Sequence, residues 1–89
     1  MLFDFDINKS KFNKKKHGID FHEAQELWKD YNAIRLPAKL VQDEKRYLII
    51  GKIKNKLWAV IITYRNKTRI ISARRARNKE AMLYEKYKR

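Results

Sequence analysis

The sequence predicts an α+β domain: two N-terminal helices, an antiparallel β-meander of three to four strands, and a C-terminal helix. Three observations predict it. A capped, amphipathic helical period occupies the first third. β-branched and aromatic runs joined by short Asn-containing connections occupy the middle. Helical spacing returns after Asn78. The 89 residues suit a single domain, residues 1–89, because a chain this short cannot build two independent cores.

Phe3-Asp4-Phe5 reads as a short edge strand. Asp6 is placed to cap a helix from Ile7 to Lys16, and Gly18 to end it in the left-handed conformation. Phe5, Phe12 and Ile19, seven apart, predict a thin apolar seam along this cationic rod. Asp20 followed by Glu23 is a capping box, and Phe21, Ala24, Leu27, Trp28 and Tyr31 form one apolar face of a second helix. Past Pro37 the period changes. Arg46 to Ile53, Leu57 to Tyr64 and Thr68 to Arg74 read as strands, and Asn32 to Leu36 as a further one. The middle run is apolar at both parities, so it belongs at the centre of the sheet, covered on both faces. The last helix turns Leu83, Tyr84 and Tyr87 toward the sheet.

Charge is the main compositional fact. Twenty-three Lys and Arg against ten Asp and Glu give a formal +13, a self-repulsion that a polyanion or an acidic partner would offset. The distribution is uneven: residues 20–44 carry a net −3, whereas residues 65–89 carry ten bases against Glu80 and Glu85. Without cysteine there is no disulfide and no thiolate-bound zinc. The amino terminus lacks a signal-peptide core, and the longest apolar run, Leu57 to Ile62, is too short to span a bilayer. A soluble, cytoplasmic protein without membrane contact is expected, with nucleic acid as the leading partner.

Two basic constellations carry the candidate chemistry. Lys14-Lys15-Lys16-His17-Gly18 closes the first helix, where cations complement the negative end of the macrodipole. The same residues are placed for His17 to move a proton while the lysines hold phosphate. The second runs from Arg69 through Arg74-Arg75-Ala76-Arg77 to Lys79, a strand leading directly into a helix. A regular pleat puts Arg69, Ile71, Ala73 and Arg75 on one face and Thr68, Ile70, Ser72 and Arg74 on the other, so Arg74 and Arg75 point apart. One of them is expected at a site and the other tied to the last helix through Glu80 or Glu85. Arg65, a hairpin away, is expected to approach the same junction. His22 reads as a surface residue, and its spacing from His17 suits no shared metal. Neither a phosphate-binding glycine loop nor a serine nucleophile motif is present.

Several segments together resemble one family. Phe3-Asp4-Phe5-Asp6, Lys16-His17-Gly18-Ile19-Asp20-Phe21-His22-Glu23-Ala24, Arg46 to Gly51, and Arg69-Ile70-Ile71-Ser72-Ala73-Arg74-Arg75-Ala76 with Glu80 and Tyr84 resemble the BrnT toxins of bacterial type II toxin–antitoxin systems. Phe5 stands where that family usually has tryptophan, and residues 37–43 are shorter and less acidic than its usual loop. The resemblance implies a RelE-like fold, a metal-independent ribonuclease without cofactor, and a cognate antitoxin that neutralises it and alone contacts operator DNA. It carries Lys16, His17, Arg74 and Arg75 over as catalytic candidates, to which geometry adds Arg65. Lys14, Lys15, Arg69, Arg77 and Lys79 are the expected RNA-binding cations. RNA supplies its own 2′-hydroxyl nucleophile, so a base, an acid and charge-stabilising arginines suffice, giving a 2′,3′-cyclic phosphate and a 5′-hydroxyl. The rival expectation is a basic module that binds nucleic acid without cutting it.

Overall fold

Tight turns decide how the middle of the chain pairs. In the computed structural model, which describes residues 2–88, β3 (Tyr47–Ile53) and β4 (Lys56–Arg65) are joined across Lys54 and Asn55, and β4 reaches β5 (Lys67–Arg75) through Asn66. Lys54 and Asn66 both adopt positive φ, which lets the chain reverse in so few residues. β2 (Ile34–Pro37) joins the free edge of β3, and β1 (Phe3–Asp4) pairs in parallel with β5, giving the order β1-β5-β4-β3-β2 with β4 central. Between β2 and β3, Gln42 and Asp43 form a turn with both φ positive, closed by paired hydrogen bonds between Val41 and Glu44.

The helices are α1 (Ile7–His17), α2 (Phe21–Ala24), continued by a 3₁₀ segment over Gln25–Lys29, and α3 (Asn78–Tyr87). The second helical period is thus tighter than an α-helix after Ala24, and Tyr31 lies beyond it, exposed. The Asp6 carboxylate accepts the Asn8 and Lys9 amides, and Gly18 closes α1 at φ 79°. The Asp20–Glu23 capping box forms as its spacing requires.

One sheet face is packed by α1, α2 and the 3₁₀ segment. Phe21, Ala24 and Leu27 meet Ile49, Val60, Ile62, Ile70 and Ala73 there, all buried. Each large apolar side chain so buried is worth about 1.5–3 kcal/mol. Gly51 lies under this layer: a Cβ there would stand 2.9 Å from Leu27 Cδ2 and 3.1 Å from Ala33 Cβ, so any side chain at this position would have to displace Leu27. On the far face α3 packs against β3, and Tyr84 is buried while Tyr87 is exposed.

Two further expectations are corrected. The seam of Phe5, Phe12 and Ile19 does not hold α1 down, since Phe12 is 65% exposed. The helix docks instead through buried Ser10 and Asn13, because polar side chains there satisfy backbone groups that the sheet and the α1–α2 turn leave open. The pleat of β5 is also not regular. Ile61 pairs with Ser72 but Ile62 with Ile70, so Ile71 is an extra residue, a β-bulge. Ile70 therefore shares a face with Ala73 and Arg75, and Arg69 with Arg74.

Candidate ribonuclease site

The bulge, caps and turns deliver the basic residues to two separate ends of the sheet. At the end where β5 meets α3, Arg74 and Arg75 diverge. Arg74 donates from both terminal nitrogens to Glu80, each at 2.8 Å, in a pair largely shielded from water. Glu80 Oε1 also accepts the Arg77 amide at 2.8 Å, closing the first turn of α3. The hydrogen-bonded Arg74 guanidinium holds the Glu80 carboxyl below its ordinary range, and Glu80 in turn raises Arg74. Arg74 is thus the strut between strand and helix.

Arg75 projects to the helical face. Its guanidinium carbon lies 5.5 Å from the centroid of the Trp58 ring, and Nε donates to the Leu57 carbonyl at 3.2 Å. No carboxylate among the described residues lies within ion-pair distance, so its two terminal nitrogens stay available to an anion. A groove of about 590 Å³ runs beside Trp58, lined by Gly18, Ile19, His22, Lys54 and Lys56 among others.

His17 comes to this end through α1. Asn13 is bonded to the Ala73 backbone, and His17 lies one helical turn further on the same side of the helix. Arg75 is two residues past Ala73 on the same strand face. His17 is half-buried, and Lys15 and Lys16 are exposed around it. Lys14 bridges both oxygens of Glu23, at 2.8 and 3.0 Å, which raises its pKa and lowers that of Glu23. Arg77 and Lys79 are exposed at the start of α3.

Arg65 does not approach this junction. β4 and β5 pair from Trp58–Arg75 at one end to Arg65–Lys67 at the other, so seven strand residues, about 23 Å, separate Arg65 from Trp58. A hairpin places residues near one another only at its turn, and Arg74 and Arg75 lie at its open end. Arg65 instead contacts Glu44, Nε donating to Oε2 at 2.9 Å, with a second contact from Nη2. Arg46 Nε donates to the other oxygen at 3.2 Å, and Arg65 and Arg46 hold the Glu44 carboxyl low. Arg69 joins this end on the far face, bound to Asp4 Oδ2 at 2.5 Å. Glu44 and Arg46 escaped the sequence reading because they flank a turn with no motif of its own. Their acid–base alternation beside a strand start was the only available signal.

Among the described residues, no group of three or more His, Asp or Glu is placed to hold a metal ion, and no helix is long and apolar enough to cross a membrane. The arrangement is that of a small α+β protein presenting cations beside a histidine. A family model described as ribonuclease toxin, BrnT, of type II toxin–antitoxin system matches residues 5–80. The chain belongs to this family of ribonuclease toxins, whose place in a toxin–antitoxin pair implies an RNA substrate and an antitoxin partner. No curated protein sequence matches it significantly.

Proposed function

We propose that the protein acts in the cytoplasm as a metal-independent endoribonuclease of a single RelE-like domain. It cuts RNA by attack of the substrate's 2′-hydroxyl, and its cognate antitoxin silences it by covering the basic surface, operator DNA being reached only through that antitoxin. The observation that carries the reading is Arg75, a guanidinium without an acidic partner, fixed over Trp58 on the face toward which α1 delivers His17. In this arrangement His17 moves the proton, Arg75 stabilises charge growing on the phosphate, and Lys16 with Lys15 holds the backbone. Arg74 acts by positioning: its bond to Glu80 fixes the strand end that carries Arg75.

A second placement of the same reaction is favoured by Glu44. This carboxylate sits between Arg46 and Arg65, a base beside two cations, with Arg69 nearby on the far face. There Glu44 would take the 2′-hydroxyl proton, the arginines would stabilise the phosphorane, and the 5′-oxygen would leave as the P–O bond breaks, taking its proton from water.

The test is incubation of purified protein with RNA in excess EDTA, followed by analysis of fragment ends. Fragments with 2′,3′-cyclic phosphate and 5′-hydroxyl ends are expected. Intact RNA, or 5′-phosphate ends, would overturn the mechanism. Adding stoichiometric antitoxin should stop cleavage, and a complex that cuts as fast as free protein would refute silencing by coverage.

A further inference from the structure

We propose that Arg35, Tyr47 and Tyr64 form a base-stacking platform for single-stranded RNA. The proposal rests on RNA being the substrate and adds a binding surface made of residues that belong to neither placement of the cleavage site. The three residues lie diagonally across adjacent strands: Arg35 pairs with Ile49 on β3, and Tyr47 with Ile62 on β4, so each neighbours the next on the helical face. The two rings are 5.4 Å apart, tilted by 52°. The Arg35 guanidinium carbon is 5.1 Å from the Tyr47 centroid and 6.0 Å from that of Tyr64, and Nη1 donates to the Tyr64 hydroxyl at 3.1 Å.

Cross-strand aromatic pairs often serve packing alone, but this row differs in three ways. Tyr64 is 48% exposed, so much of its ring faces water instead of core. Arg35 is exposed and has no carboxylate within ion-pair distance among the described residues; its only described side-chain partners are the two tyrosines. Its remaining N–H groups are therefore free for phosphate while its guanidinium lies against both rings. Tyr64 also walls a shallow depression of about 430 Å³ that includes Asn66 and Lys67, which places a second exposed cation beside the ring. Aromatic faces flanked by cations are the arrangement that holds unpaired bases, because every base offers a π-face and every linkage a negative charge. Such a platform is tolerant of sequence and selects against duplex RNA, whose bases are already stacked.

The test uses an uncleavable 2′-O-methyl hexanucleotide and an abasic oligomer with the same number of phosphates. Tyr64→Ala should weaken binding of the hexanucleotide by about ten-fold or more, the usual scale for one lost stack. Binding of the abasic oligomer should be unchanged, and Tyr64→Phe should bind like the parent. Arg35→Ala should weaken both ligands and make the salt dependence shallower. Tyr64→Thr, which retains strand propensity, replaces the alanine variant if the latter fails to fold. Unchanged hexanucleotide binding by the Tyr64 variant, or an equal loss with the abasic ligand, overturns the platform. Loss of antitoxin affinity with RNA affinity intact would assign the row to the protein partner and overturn it too. Cleavage in EDTA by a variant that binds like the parent removes the platform and leaves the ribonuclease; a protein that binds neither oligomer removes both.

Discussion

Asn13 and Ala73, sixty residues apart, are bonded in both directions: the Asn13 amide donates to the Ala73 carbonyl at 2.8 Å, and the Ala73 N–H donates back to Asn13 Oδ1 at 3.3 Å. The same amide nitrogen donates to Ile19 at 2.8 Å. One buried side chain thereby aligns α1, the α1–α2 turn and the bulged strand that carries Arg75. Asn13→Ala leaves buried backbone groups unpaired, a cost of about 1–3 kcal/mol. A domain of this size should then melt roughly 4–8 °C lower for each kcal/mol lost. Cleavage should fall even at temperatures where the variant stays folded, because His17 and Arg75 lose their common reference. An unchanged melting temperature would show that water replaces these bonds.

Acid should reveal the Arg74–Glu80 strut. The Arg74 hydrogen bonds hold the folded-state pKa of Glu80 below 4.5, so the pair's stabilisation is present above that value and is lost as pH falls through the folded-state pKa. Glu23 and Glu44, lowered by Lys14 and Arg65 respectively, add to the same acid limb. Glu80→Gln should lower stability at neutral pH by roughly 1–3 kcal/mol and flatten the decline below pH 4.5. Denaturant unfolding across pH 2–7 reads both effects. A parallel acid limb in parent and variant would show that Glu80 carries none of it.

Alkali should act through Tyr84. Burial first, and then its hydrogen bond to Asp30 at 2.8 Å, push the Tyr84 phenol from 10.0 up to about 12. A raised folded-state value means its contribution is complete below pH 10 and is lost as pH rises through 12. Burial alone would raise Asp30, but bonds from the Lys52 and Asn32 amides and from Tyr84 carry it below its usual range. Tyr84→Phe should therefore remove the late tyrosinate absorbance step near pH 12 and reduce the loss of stability between pH 10 and 12. Retention of that step in the variant would assign it to another tyrosine.

What was legible in the sequence was whatever local chemistry dictates. Asp6, Gly18, Asp20 and Glu23 act at the helix ends where their side chains and φ preferences put them. The apolar run after Leu57 occupies the centre of the sheet. Three features were not legible because they depend on partners distant in the chain. Asn13 looked like one polar residue among many, and its value comes from Ala73. The bulge at Ile71 follows from how β5 must register against β4, which no alternation pattern reports. The separation of Arg65 from Arg75 follows from strand length and direction, and proximity to a hairpin in sequence concealed it. At the site, Glu44 and Arg46 became visible only when the turn at Gln42 and Asp43 folded them onto Arg65.

The two placements of the reaction give opposite mutational results. If proton transfer belongs to His17, His17→Ala should slow cleavage by about 10²-fold or more with little change in RNA affinity, the usual scale for a lost general acid or base. Arg75→Ala should lower turnover in the same assay, and Arg74→Ala should do so only with a fall in melting temperature, since Arg74 works through Glu80. Glu44→Gln should then leave turnover near that of the parent. If Glu44 is the base, the order reverses: Glu44→Gln and Arg65→Ala suppress turnover, and His17→Ala leaves it intact. Single-turnover rates under EDTA, with melting temperatures for every variant, separate these outcomes from simple unfolding. Full activity in both His17→Ala and Glu44→Gln would remove each placement and move the proton transfer to groups outside these two ends of the sheet.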